Sequence, residues 1–141
     1  MLALSLVPGC GAPHWIKAYR GPVVPDAQLA TLTVDYDTGV IVDGRNEFQC
    51  QARTGNGDPC GFTLRPGPHR LLVWYQNETF RSKETRWLNL SVEAGRSYSL
   101  AASEVVTLDD WWMMVFDTTG GSYNLVFGDR DDHCKACPPL Q

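Results

Sequence analysis

The 141-residue chain carries 12 Lys+Arg against 16 Asp+Glu, a net charge of −4, with 43% hydrophobic residues. Length and composition fit one globular domain that can bury a core, and they exclude a disordered chain. The acidic balance argues against nucleic acid as a partner, and no apolar run reaches the ~18 residues of a transmembrane helix.

Met1–Cys10 is an apolar segment that ends Val7-Pro8-Gly9-Cys10. That ending resembles a bacterial lipobox, with an aliphatic residue three before the cysteine and a small one just before it. The resemblance implies cleavage before Cys10, residues 1–9 as a signal-peptide remnant, and lipid on the Cys10 thiol. The mature chain is then expected to be anchored to a membrane through lipid. Gly11 follows Cys10 where an inner-membrane retention signal has aspartate, so the outer membrane, on its periplasmic face, is the expected location. Residues 10–28 hold Gly11, Pro13, Gly21, Pro22 and Pro25 and read as a Pro/Gly tether, with Trp15 and Tyr19 able to dock on the domain.

From Leu29 the pattern changes to short apolar alternations separated by turn residues. Strands are expected over 29–34, 40–42, the segment leading to Cys50, 61–65, 69–75, 87–92, 97–102, 111–116 and 123–127. Asp43-Gly44 suits a tight hairpin, because both residue types tolerate positive φ. Pro66-Gly67 fits the centre of a type II turn, and Ala94-Gly95 is a third turn. The fold class is therefore all-β: a single immunoglobulin-like β-sandwich of seven to nine short antiparallel strands over residues 29–128. Residues 129–141 follow as an acidic tail with a CxxC.

The five cysteines are Cys10, Cys50, Cys60, Cys134 and Cys137. With Cys10 lipidated, four remain and allow three connectivities. The simplest pairs Cys50 with Cys60 and Cys134 with Cys137. The first bridge would close over Gly55-Asn56-Gly57-Asp58-Pro59 and contribute roughly 2–3 kcal/mol. A redox role for Cys134-Lys-Ala-Cys137 is disfavoured because Pro138-Pro139 and the chain end follow directly, leaving no room for a fold downstream. Zinc would need two further ligands, and His133 beside Cys134 is poorly spaced for chelation.

Three stretches are read together: Ile41-Val42-Asp43-Gly44, then Leu64-Arg65-Pro66-Gly67-Pro68-His69, then Val92-Glu93-Ala94-Gly95-Arg96-Ser97-Tyr98. Their order is similar to PEGA-like domains and to small bacterial envelope lipoproteins of that cast, over roughly residues 29–102. The resemblance implies that these turns join strands of a small sandwich on a cell-envelope protein, and it supplies no catalytic residues. The chain lacks the Pro-Glu-Gly-Ala-type tetrad and inserts the loop 50–60.

His14, His69 and His133 are dispersed, with no HxH or HExxH spacing, so no catalytic residue is assigned and no cofactor or metal is expected. His69 at a strand start reads as a cross-strand polar partner. Asp109-Asp110 and Asp129, Asp131 and Asp132 lack the glycine and distal glutamate of a calcium loop and read as solvated acids. Aromatics are the best binding signal. Trp111 and Trp112 must point to opposite faces of a strand, as must Trp87 and Leu88. Trp87, Trp111 and Trp112 are thus the candidate binding aromatics, against the plainer reading that tryptophan fills the core. The expected function is a non-catalytic cell-envelope lipoprotein, a binding or structural module for a protein or glycan. The alternatives are a secreted accessory subunit without lipid and a CxxC redox or metal-binding protein.

Overall fold

A computed structural model describes residues 14–52, 60–77, 81–104 and 111–129. Ten strands form there: β1 His14–Lys17, β2 Ala30–Val34, β3 Thr38–Val42, β4 Gln49–Ala52, β5 Cys60–Leu64, β6 Gly67–Tyr75, β7 Arg86–Val92, β8 Ser97–Glu104, β9 Trp111–Asp117 and β10 Asn124–Gly128. They make a six-stranded sheet in the order β1-β5-β2-β8-β9-β10 and a four-stranded sheet in the order β4-β3-β6-β7. The all-β sandwich expected from the sequence is the fold. Alternation is the cause. In β7, Leu88, Leu90 and Val92 are buried while Trp87, Asn89 and Ser91 face out. Leu32, Val34, Phe62, Leu64, Leu71, Val73, Leu100 and Val115 fill the space between the sheets.

Nine strands fall where alternation places them, to within a few residues. The tenth, β1, is a correction. It comes from residues 10–28, expected as a tether, and pairs in parallel with β5 from His14↔Cys60 to Lys17↔Thr63. The chain stays docked beyond it. The Ala18 N–H donates to the Thr63 carbonyl at 3.0 Å, and the Val24 N–H donates to Tyr19 Oη at 3.1 Å. Lys17 and Arg65 both lie over the buried Tyr19 ring, at 4.8 and 5.2 Å. Among the described residues the sandwich therefore begins at His14, not at residue 29. The pairing is also not wholly antiparallel, since β2 runs parallel to β8. Parallel partners are joined by no hairpin, so no turn signal announces them.

Two of the three expected turns follow their residues; at Pro66-Gly67 the chain instead bends directly into β6, which starts at Gly67 with φ 119°, and Pro68 has no N–H to close a type II turn. Asp43 and Gly44 have φ of 55° and 68°, and the Arg45 N–H closes on the Val42 carbonyl at 3.1 Å. That is a turn with positive φ at both central residues, but not a two-residue hairpin: the β3–β4 connection runs on through 43–48, where the Phe48 N–H closes a second turn on the Arg45 carbonyl at 2.9 Å. Cys50 and Cys60 form a disulfide, with a Cα–Cα distance of 6.2 Å. Cys50 lies in the four-stranded sheet and Cys60 in the six-stranded one, so the bridge staples the two layers together. Thr38 is a second inter-sheet link. Its buried hydroxyl accepts the Ala102 N–H at 3.0 Å, just past the point where the β2–β8 ladder ends.

Candidate functional site

The three candidate tryptophans separate. Trp111 is 0% exposed and belongs to the core, which removes it as a binding aromatic. Its ring carries the Arg86 guanidinium at 4.0 Å on its face. Trp87 is 48% exposed, but the Arg70 guanidinium lies over its ring at 4.1 Å, so it is no bare platform. Trp112 is half-buried on the outer face of the six-stranded sheet. Trp74 is shut in on the opposite outer face. It packs against Gly39, where a Cβ would collide with the indole, and under Arg81 at 4.3 Å.

Among the described residues, the open tryptophan is Trp15, in the segment expected to be a tether. It is 45% exposed and stands on the outer face of the six-stranded sheet. Its indole lies over Gly61, where a Cβ would meet Trp15 Cζ3 at 2.7 Å and the Leu32 carbonyl at 2.9 Å. Glycine within a strand is the condition for that close approach. Beside the ring lies a cleft of about 420 Å³ lined by Trp15, Asp26, Leu29, Thr31 and Thr63. The registers explain the lining. Lys17 pairs with Thr63, Thr63 with Thr31, and Thr31 with Ser97, and the Thr31 hydroxyl donates to Ser97 Oγ at 3.1 Å. A short 3-10 turn at Asp26–Gln28 forms the far wall and brings in Asp26. The cleft thus combines an aromatic plane, two hydroxyls and a carboxylate. An aromatic plane takes an apolar ring face, and the oxygens fix orientation.

Other polar groups are structural. His69 has Nδ1 2.7 Å from Asp43 Oδ2 and Nε2 2.7 Å from the Arg65 carbonyl, so both ring nitrogens are engaged. This is the cross-strand polar role read from the sequence. Asp129, expected as a solvated acid, is instead buried: Oδ1 accepts the Met113 N–H at 2.7 Å, and Oδ2 lies 3.5 Å from Arg86. The Thr119 hydroxyl and backbone N–H hold the Asp117 carboxyl below its ordinary 3.8, and Arg96 adds to this. Among the described residues, no cluster of three His, Cys, Asp or Glu could hold a metal ion, and no helix is long and apolar enough to cross a membrane. Cys10, Cys134, Cys137, His133 and the acids at 109, 110, 131 and 132 lie outside the described residues.

No protein-family model, curated protein or solved structure matches the chain. The functional reading rests on the geometry of this face.

Trp15 and Tyr19 dock on the domain as the sequence allowed, but Trp15 was not read as a binding aromatic because its Pro/Gly-rich surroundings read as linker. Two signals pointed to it. Trp15-Ile16 is a pair of strand-favouring residues, and Gly61 interrupts an otherwise bulky strand.

Proposed function

We propose that this chain is a non-catalytic cell-envelope lipoprotein, anchored through Cys10, whose sandwich binds a glycan in the cleft beside Trp15. The observation that carries the binding is Trp15 itself, seated on Gly61 with its ring half open above Thr31, Thr63 and Asp26. A sugar ring can lay its C–H face on the indole while its hydroxyls donate to the carboxylate and exchange hydrogen bonds with the threonines. Two points support the envelope setting: the lipobox-like ending at Cys10 and a disulfide buried between the sheets, which suits an oxidising compartment. The PEGA-like order of turns belongs to the same reading.

The test is a titration of the folded chain with cellobiose, chitobiose and galacturonic acid, followed by tryptophan fluorescence and amide NMR. Trp15→Ala is expected to weaken saccharide binding by about tenfold or more, with little change in melting temperature. Gly61→Val, whose Cβ meets both the indole and the Leu32 carbonyl, is expected to weaken binding as well, but with a lowered melting temperature because the β2–β5 ladder must shift. Binding that survives both substitutions would remove the cleft as the site. Capture of an envelope protein through Trp15, with no saccharide bound, would assign the same face to a protein partner.

A further inference from the structure

The outer face of the six-stranded sheet is read most directly along one cross-strand row. Trp15 pairs with Gly61, Gly61 with Thr33, Thr33 with Ser99, Ser99 with Phe116, and Phe116 with Leu125. Pairing in register puts all six side-chain positions in a line across the strands. The line is tall at its ends and low in its middle. Trp15 stands at one end. At the other, Phe116 packs edge-on with Tyr123 at 5.8 Å, and Tyr123 is 71% exposed. Between them lie only a glycine, a threonine and a serine, and the Thr33 and Ser99 hydroxyls have no hydrogen-bond partner among the described residues. Trp15 and Phe116 are four strand spacings of ~4.8 Å apart, about 19 Å.

Resting on the glycan reading above, we infer that the saccharide site continues from the Trp15 cleft along this trough to Phe116 and Tyr123, and that its ligand is a neutral, extended oligosaccharide of several sugar units. Charge decides the class. The row from Trp15 to Leu125 holds no ionisable side chain, so an anionic polymer would find no cation along it. Lys17, on the same face of β1 as Trp15, turns its ammonium to the Gly21 carbonyl and the Tyr19 ring, and Arg96 and Asp117 near the far end pair with each other at 3.2 Å. A buried contact with an apolar protein surface would leave the floor hydroxyls without partners, at a cost. A sugar chain supplies hydroxyls to them, and its C–H faces suit the aromatics at both ends. The low floor admits a chain laid flat across the strands. The length of the trough is what distinguishes an oligosaccharide from a single ring.

Calorimetric titration with cellobiose, cellopentaose and oligogalacturonate tests this on wild type, Trp15→Ala, Tyr123→Ala and Ser99→Lys. Cellopentaose is expected to bind about tenfold tighter than cellobiose. Tyr123→Ala, at an exposed position, is expected to reduce cellopentaose to the affinity of cellobiose and leave cellobiose unchanged. Ser99→Lys is expected to block the longer sugar alone, and Trp15→Ala to weaken both. Equal affinity for the two sugars with a silent Tyr123→Ala would overturn the trough and leave the cleft standing. Preference for oligogalacturonate would overturn the assignment of a neutral ligand. Binding of no sugar by wild type would overturn cleft and trough together. A wild-type dimer in sedimentation that Tyr123→Asp dissociates would mark the row as a contact between copies and overturn the proposal.

Discussion

Arg86 shows how one side chain can close the end of the sandwich. Its side chain is 7% exposed and that of Asp129 4%, with 3.5 Å between them. Arg86 Nε donates to Glu84 Oε1 at 2.5 Å, and Nη1 donates to the Trp111 carbonyl at 2.6 Å. The pair ties β7 of one sheet to β9 and the end of β10 in the other. Removing one member leaves the other charge buried without its partner, which costs about 3–5 kcal/mol. Arg86→Ala is expected to lower the unfolding free energy by that amount in urea titration, and Arg86→Met with Asp129→Leu to cost less than the sum of the single changes. None of this was legible in the sequence. Asp129-Arg130-Asp131-Asp132 reads as solvated charge, and only the return of β10 along β9 carries Asp129 inside.

At the scale of elements, turn chemistry was legible and strand partners were not. Asp43-Gly44 and Gly95 take the positive φ their residue types suggest, because the constraint is local. The β9–β10 connection adds a titratable latch. The Thr119 N–H donates to Asp117 Oδ1 at 2.9 Å, and Thr119 Oγ1 accepts the Ser97 N–H at 2.9 Å. Hydrogen bonds from Thr119, then the charge of Arg96, hold the Asp117 carboxyl below 3.8. A carboxyl depressed in the folded state stabilises above its unfolded value and loses that contribution as pH falls through the folded one. Asp117→Asn is therefore expected to lower the melting temperature at pH 7. The gap to wild type should persist down to the ordinary value of 3.8 and close below it, which melts across pH 3–7 would check.

For the whole molecule, the disulfide is the long-range constraint. Cys50–Cys60 spans 10 residues and joins the two layers. A closed loop of that length contributes about 2–3 kcal/mol through the unfolded chain. Replacing both cysteines by alanine is expected to lower stability by that amount while preserving the strand signature in circular dichroism. Adding reductant to wild type should reproduce the loss, and to the double variant should do nothing. Spacing and turn residues favoured the pairing as the simplest of three connectivities. Its inter-sheet role was not legible, because spacing does not say which sheet each flanking strand joins.

The sequence alone specified the class of structure, nine of the ten strands among the described residues, and the Asp43-Gly44 and Gly95 turns, and it favoured the Cys50–Cys60 pair as the simplest of three connectivities. Each depends on residues close in the chain: alternation, positive-φ residue types and a short loop. Tertiary structure decided the rest. Alternation states that Trp111 and Trp112 face opposite ways, yet only the packing of a second sheet selects Trp111 for the core. The parallel pairs β1–β5 and β2–β8 join segments far apart in the chain, with no local code to specify them. Those pairs, together with the antiparallel β2–β5 and β8–β9 ladders, draw Trp15, Gly61, Thr33, Ser99 and Phe116 into one line. The candidate site is a property of that register.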